Sequence, residues 1–285
     1  MSDVGLAVRA QTWWTILRIS LEERLVYRGD FALGTLMRFL PIITQIFLWW
    51  AVFETIGSGK VTDADIAGYR YPDMVAYYLL TMLTRAFSSM PGLSSGIALQ
   101  IRNGEIKKYL VQPVDFIGFL LLTRIAHKAA YYSVAVLPFA FVFFLCRGYF
   151  AAGWPAWHVT AAFVVSVMLS FALGFFLEAC IGLIGFWFLE VSSLLFVYML
   201  LSFFLSGHMF PLDMLMSTSE TAHLLVDWLP LKYLAYFPSA VFLQKIQGAE
   251  LVRGLLIEVA WVAIFVALSR FMFARGVRRY SGYGG

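Results

Sequence analysis

The sequence predicts an all-α membrane protein, and two properties of the chain support this prediction. Hydrophobic residues make up 61% of the 285 residues and charged residues only 13%, with a mean hydropathy of +0.79. A soluble domain has about a quarter of its residues charged. Between Phe31 and Ala274, long apolar and aromatic-rich runs alternate with short polar breaks. A helix needs about twenty such residues to cross a hydrocarbon layer, so a soluble fold is excluded.

Six apolar runs are predicted to span the membrane. The second run is interrupted by Arg85, Ser88, Ser89 and Pro91, which makes its boundaries the least defined. The segment Gly207–Gly254 is too polar to span and too apolar for an ordinary loop, so short interfacial or re-entrant helices are expected there. The predicted spans are Phe31–Ile56, Pro72–Ile97, Phe116–Leu145, His158–Leu177, Phe186–Leu205 and Leu255–Phe273.

Basic residues predict the orientation of these spans. An even number of spans places both termini on one side, and the loops on the opposite side carry acids beside their bases. By the positive-inside rule the termini are cytoplasmic, and the chain is expected to be a multi-pass protein of a bacterial-type cytoplasmic membrane. The asymmetry accounts for the net charge of +4, so a nucleic-acid partner is not required. The predicted cytoplasmic bases are Arg9, Arg18, Arg24, Arg28, Arg102, Lys107, Lys108, Arg270, Arg275, Arg278 and Arg279.

The first thirty residues are predicted to form an amphipathic helix on the inner leaflet, followed by a transmembrane domain over residues 31–274. Apolar residues recur there with helical spacing while charged residues occupy other faces. The uninterrupted apolar stretch of a cleavable signal peptide is absent. Residues 275–285 are the predicted cytoplasmic tail. The recurring apolar residues are Leu6, Trp13, Ile16, Leu17 and Leu21.

No motif indicates catalysis or a metal centre. The run from Gly57 to Lys60 is similar to part of a phosphate-binding loop, but Glu54 and Val61 stand where that loop needs a glycine and a Ser or Thr. The four histidines lie in different segments without metal-ligand spacing. We therefore expect no catalytic residue, no metal and no cofactor in this subunit.

Three charged residues are candidates for an intramembrane polar pair or path: Arg85, Glu178 and Glu190. A charge at the centre of a spanning helix costs at least about 2.5 kcal/mol on insertion scales, so each needs a reason to be there. Arg85 lies in the middle of the second predicted span. It either lines a polar path, binds an anionic head group, extends to the interface, or pairs with one of the two acids.

The segment from Gln100 to Pro113 is the most distinctive polar stretch. It has four charged residues in the seven positions from Arg102 to Lys108, then returns to apolar residues at Tyr109. A short helix that is charged on one side and apolar on the other is a suitable docking element for a soluble partner. The alternative is a solvated turn whose positive charges only set the topology.

Several segments resemble the ABC-2 type permeases. The run "IRNGEIKKYLVQPVDFIGFLLLTR" at 101–124 is similar to the segment between the second and third spans of that family. The runs "LSGHMFPLDML" at 205–215 and "WLPLKYLAYFPSAVFLQK" at 228–245 resemble the family's stretch after the fifth span. The runs "GFWF" at 185–188 and "LVYRGDF" at 25–31 are similar to one branch, known as ABC-2 family transporter protein. The similarity extends over about residues 10–275.

The resemblance implies a function and a set of partners. Such a chain is the permease subunit of an ATP-binding cassette exporter, which moves a substrate out across the membrane by alternating access. Permeases of this family form homodimers, or heterodimers with a sister permease, and contact membrane lipids. Each binds a separate cytosolic ATPase, and that partner holds the ATP and Mg. The sequence does not identify the cargo.

The resemblance also implies roles for particular residues. The loop at residues 98–115 would couple the ATPase to the membrane domain, and residues 207–254 would form an external re-entrant region that gates release. The implied coupling residues are Arg102, Glu105, Lys107, Lys108 and Tyr109, and the implied external gate residues are Gly207, Phe210 and Pro211.

Two other classes of function compete with this interpretation. An ATP-independent channel or secondary carrier would work without an ATPase, and secondary carriers commonly show inverted repeats that are not evident here. A membrane-embedded lipid-handling enzyme would need His or Asp clustered at one depth, which the scattered histidines do not provide. The export permease is therefore the preferred prediction.

Overall fold

The computed structural model describes residues 6–26, 28–57, 61, 64–112, 114–150, 153–188 and 190–280. Every regular element within these residues is a helix, as the sequence predicts. Three short 3₁₀ helices accompany the α-helices, at Arg147–Tyr149, Ile184–Phe186 and Pro230–Leu234. The α-helices are α1 Leu6–Val26, α2 Arg28–Ile56, α3 Tyr71–Ser88, α4 Leu93–Arg102, α5 Lys107–Leu110, α6 Phe116–Leu145, α7 Trp157–Leu183, α8 Ser192–Leu205, α9 Leu212–Met216, α10 Glu220–Trp228, α11 Tyr236–Phe242 and α12 Gly248–Arg279.

Four helical stretches in the described residues are long and apolar enough to cross a bilayer. They are Phe39–Ile56, Phe116–Leu145, Trp157–Phe186 and Gly248–Arg279, which match the predicted first, third, fourth and sixth spans. The predicted fifth span corresponds to α8, whose 14 residues extend about 21 Å. This length is less than the hydrocarbon thickness of about 30 Å, so six full spans stay a prediction.

The predicted second span is two helices rather than one continuous helix. α3 ends at Ser88 and α4 begins at Leu93, and Pro91 lies in the break between them. Proline lacks a backbone N–H and its ring crowds the preceding turn, which kinks or breaks a helix. The helices α2 and α6 continue through Pro41 and Pro138, whereas at Pro91 the backbone of Ser89 is already extended and α3 has ended. Gly92 then adopts a left-handed φ of +70° as the residue that precedes α4, a conformation that glycine accepts without strain.

Short helices occupy the segment Gly207–Gly254, where the sequence predicts them. α9, α10 and α11 lie there together with the 3₁₀ helix Pro230–Leu234. Ser219 caps α10, because its Oγ accepts a hydrogen bond from the Ala222 N–H at 3.1 Å. Re-entry of these helices into a membrane stays a prediction.

The chain divides into two compact units, and the first consists of Met1–Pro41 with Glu105–Leu145. In this unit α1 packs along α6, and the Trp13 ring lies against Gly118. Trp14 and Ile19 point outward and are 66% and 59% exposed. Apolar side chains therefore cover more than one face of α1, so the predicted division into a polar and an apolar face is weak.

The second unit consists of Ile42–Gly104 with Cys146–Gly285 and is built around α7. Glycines of α7 allow close approach, since Gly174 contacts Ser88 and Gly182 contacts Ser94. On another side α12 packs against α7, with contacts between Ser166 and Glu258 near one end and between Cys180 and Phe265 farther along. The helices α7 and α12 therefore run in the same direction, the relation expected for two even-numbered spans.

Candidate functional site

A polar cluster forms in the second unit where α3, α7 and α8 meet. Tyr198 of α8 is within electrostatic range of Arg85 from α3 and of Glu178 from α7. The Ser94 hydroxyl of α4 donates a hydrogen bond to Glu178 Oε2 at 3.5 Å. Two of the three predicted intramembrane charges, Arg85 and Glu178, therefore both act on Tyr198.

His208 is the fourth ionisable member of the polar cluster and follows α8. Burial and, secondarily, the Arg85 guanidinium lower the pKa of His208 to about 4. The imidazole is consequently neutral at pH 7, and its buried Nδ1 has no hydrogen-bond partner among the described residues. From the sequence, the histidines showed only a lack of metal-ligand spacing, and His208 was not placed near Arg85, because that proximity depends on contacts between distant segments.

Glu190 lies apart from the polar cluster and belongs with a coupling residue. Its Oε2 is 3.5 Å from Arg102 Nη1, and both side chains are largely exposed. The Ser192 hydroxyl and backbone N–H donate hydrogen bonds to Oε1, and these bonds, with a smaller contribution from Arg102, lower the pKa of Glu190. An exposed pair of this kind contributes little to stability. Glu190 is therefore placed at the end of α4 rather than beside Arg85 and Glu178.

The remaining predicted coupling residues surround an anchored turn in the first unit. Ile106 is completely buried, whereas the flanking Glu105, Lys107 and Lys108 are exposed. The Lys108 Nζ lies 3.6 Å from Glu105 Oε2. The Tyr109 ring packs against the phenyl rings of Phe116 and Phe119 on α6, at centroid distances of 5.0 and 5.4 Å. Buried apolar side chains thus anchor the segment while its charged groups remain accessible.

The predicted external gate residues surround the tyrosine Tyr77. Its hydroxyl donates hydrogen bonds to the carbonyl oxygens of Gly207 and Phe210. Gly207 has a φ of +78°, and a Cβ there would lie 2.6 Å from both Tyr77 Oη and Tyr236 Cβ. Only glycine meets both demands. Pro211 directly precedes α9 and is buried.

Asp213 joins this region to neighbouring segments. Its two carboxylate oxygens accept hydrogen bonds from the hydroxyls of Tyr69 at 2.8 Å and Tyr236 at 2.6 Å. Burial and then the Asp213 charge raise the pKa of both tyrosines, so they remain hydrogen-bond donors. Lys245 donates to the Gly68 carbonyl at 2.7 Å. Sequence reasoning missed this network, since its members come from four separate segments.

Comparison with known protein families shows to which family this chain belongs. A family model described as ABC-2 family transporter protein matches residues 39–284. The chain belongs to this family. A search of curated proteins gave no match. The resemblance found in the sequence is thereby confirmed, and the ABC-2 family consists of membrane components of transporters rather than ATPases.

One buried acid of this ABC-2 family member was not predicted from its sequence. Glu258 is the only acid between Leu251 and Ala274, and its side chain is fully buried against α7. An isolated acid within an otherwise apolar run was the available signal. Its partner Ser166 lies 92 positions away in the sequence and gives no signal of its own.

Proposed function

We propose that this chain is the transmembrane permease subunit of an ATP-binding cassette exporter. The family match over residues 39–284 carries the proposal. In it, the permease forms a dimer with itself or with a sister permease and binds cytosolic ATPase subunits. Those partners hold ATP and Mg, and their closure drives the permease between inward-facing and outward-facing states. Both termini are cytoplasmic.

The exposed charges around Ile106 support an ATPase contact at this segment. A docking surface needs accessible charged groups on a backbone that transmits force rather than bending. Buried Ile106 and the Tyr109 ring provide that anchorage, and Glu105, Lys107 and Lys108 provide the charges. A turn that only set topology would not need the buried anchor. This anchorage favours the coupling role over the simple solvated turn.

The polar cluster and the external gate residues around Tyr77 support the other two parts of the proposal, a substrate path and an external gate. Arg85 and Glu178 near Tyr198 offer charged groups to a substrate inside the membrane domain. Gly207 and Phe210, held by Tyr77, would control release on the external side. Exchange of these hydrogen bonds for water is a local way to open the segment without unfolding a spanning helix.

The test is purification of the tagged full-length chain from membranes in mild detergent, followed by reconstitution into lipid vesicles. We expect an ATPase with Walker motifs to co-purify in equal amount and to hydrolyse ATP in the vesicles. Substitution of the Walker lysine in that partner should abolish hydrolysis. A chain that purifies without an ATPase and conducts ions alone in a planar bilayer would instead support the channel or carrier alternative.

Arg85→Leu is expected to lower the ATP hydrolysis of the assembled transporter about tenfold, which corresponds to about 1.4 kcal/mol. The guanidinium is the cationic member of the polar cluster, and leucine removes it while remaining compatible with a spanning helix. Arg85→Lys should recover only part of the activity, because an ammonium ion cannot reproduce the planar fork.

The matched control for Arg85 is Arg253→Leu, which removes an exposed arginine from α12. This variant should retain the hydrolysis rate of the unmodified transporter. Equal rates for Arg85→Leu and the unmodified transporter, with equal amounts of protein in the membrane, would contradict a functional role for Arg85.

A further inference from the structure

Glu258 occupies an unusual position for an acid. It lies ten residues after the start of α12 at Gly248, which places it about 15 Å along a helix of spanning length. Its side chain is completely buried. Ionisable residues inside spanning helices are costly and are commonly functional, so Glu258 requires an explanation of its own.

Among the described residues, one hydrogen bond holds the Glu258 carboxyl. The Ser166 hydroxyl of α7 donates to Oε2 at 2.8 Å. The other oxygen, Oε1, is buried and has no hydrogen-bond partner among the described residues. None of the ion pairs within the described part of the chain involves this carboxyl.

No cation of the described residues forms an ion pair with Glu258. Lys232, in the neighbouring 3₁₀ helix Pro230–Leu234, is instead paired with Asp227 at 2.5 Å. Tyr233, from the 3₁₀ helix Pro230–Leu234, is within electrostatic range and is itself buried. From α11 the Phe237 ring lies against Gly254, one turn before Glu258 on the same side of α12. Arg253 is exposed and lies five residues away, about 140° around the helix. Glu250 is exposed in the first turn.

We propose that Glu258 is a proton-binding site within the membrane domain. An unpaired carboxylate in such surroundings would carry the large cost of burying a charge, with one oxygen left wholly unsatisfied. Protonation removes the cost of burying a charge. It leaves only one neutral oxygen without a partner, and the hydrogen bond from Ser166 is kept. The proton is taken up from water as α7 and α12 pack, and no other bond changes.

The site gains a regulatory role if the proposed export function holds. Movement of α12 away from α7 would let water reach the carboxyl, and the proton would then leave to water. The transition between the two states would therefore release one proton per permease, and a lower pH would favour the packed state described here. This consequence rests on the proposed function, whereas proton binding itself does not.

Infrared spectroscopy of the full-length chain in phosphatidylcholine nanodiscs tests the site directly. At pH 7 the unmodified chain should show a carbonyl band of a protonated carboxylic acid that Glu258→Gln lacks. Glu250→Gln should retain this band, because Glu250 is exposed to water in the first turn of α12 and lies outside the buried contact with Ser166. Identical acid carbonyl bands in the unmodified chain and Glu258→Gln would overturn the proposal.

Ser166→Ala provides a second test that does not alter the acid itself. Loss of the hydroxyl donor should move the Glu258 band to higher frequency without removing it, because the carbonyl is no longer weakened by that bond. A band unchanged by Ser166→Ala would contradict the assignment to Glu258. Neither readout needs an ATPase partner or a cargo, so failure of the export proposal and failure of the proton site are distinguishable.

Discussion

Replacing Lys107 and Lys108 together by glutamate is expected to reduce ATP hydrolysis by the assembled transporter at least tenfold, with an unchanged yield of folded chain. Both side chains are exposed beside the buried anchor Ile106. The ion pair of Lys108 with Glu105 is also exposed and is worth at most about 1 kcal/mol to stability. Reversal should therefore act on the contact with the ATPase and leave the fold intact.

The measurement is ATP hydrolysis in lipid vesicles together with the amount of ATPase that co-purifies with the chain. Reversal of Arg278 and Arg279 to glutamate is the matched control. These two arginines are exposed at the end of α12, on the side that the proposed topology also makes cytoplasmic. The control makes the same change of net charge and should leave hydrolysis unaltered. Normal assembly and normal hydrolysis in the lysine variant would show that the coupling assignment is wrong.

The spanning helices were predictable because their signal is local. Length and hydropathy alone identify the stretches that contain Phe39–Ile56, Phe116–Leu145, Trp157–Phe186 and Gly248–Arg279. The break in the second span also has a local cause, since Pro91 is followed directly by Gly92 with its left-handed backbone, whereas Pro41 and Pro138 lie inside continuous helices. The packing of the two resulting helices against α7 is not visible, because it depends on glycines almost ninety positions further along the chain.

The composition of the polar cluster was only partly predictable. Arg85 and Glu178 are recognisable as charges within apolar runs, but the position of Glu190 beside Arg102 depends on where α8 begins. Glu258 shows the same limitation, since its interpretation depends on its contact with Ser166 and on the absence of an ion pair to it among the described residues. The spacing of residues along the sequence does not show which distant segments contact one another.

The α1 helix illustrates a different limit. Helical spacing of Trp13, Ile16 and Leu17 correctly predicts a helix over the N-terminal region. The same spacing does not determine how completely the apolar residues segregate, and Trp14 and Ile19 occupy the outward side. A periodic pattern therefore predicts the type of element better than the partner that each face meets.

Gly174→Ala is expected to destabilise the chain strongly. A Cβ at this position would lie 2.1 Å from the Ser88 carbonyl oxygen and 3.1 Å from its carbon, so a backbone segment would have to move. That segment is held in place, because the Ser88 hydroxyl donates to the Leu234 carbonyl at 2.7 Å and the break at Pro91 follows. Overpacking lowers the free energy of unfolding by about 1–3 kcal/mol. Because the Ser88 backbone is held in place, we expect a loss near the upper value.

The measurement for Gly174→Ala is the thermal unfolding midpoint of the detergent-solubilised chain, which should fall by about 6–12 °C for a loss of about 3 kcal/mol. Gly96→Ala is the matched control, since Gly96 also lies within a helix and a Cβ there would meet no heavy atom within 4 Å. Alanine favours a helix over glycine by up to about 1 kcal/mol, so the control should unfold at the same temperature or slightly higher. Equal midpoints for the two variants would show that α7 does not need glycine at the α3 contact.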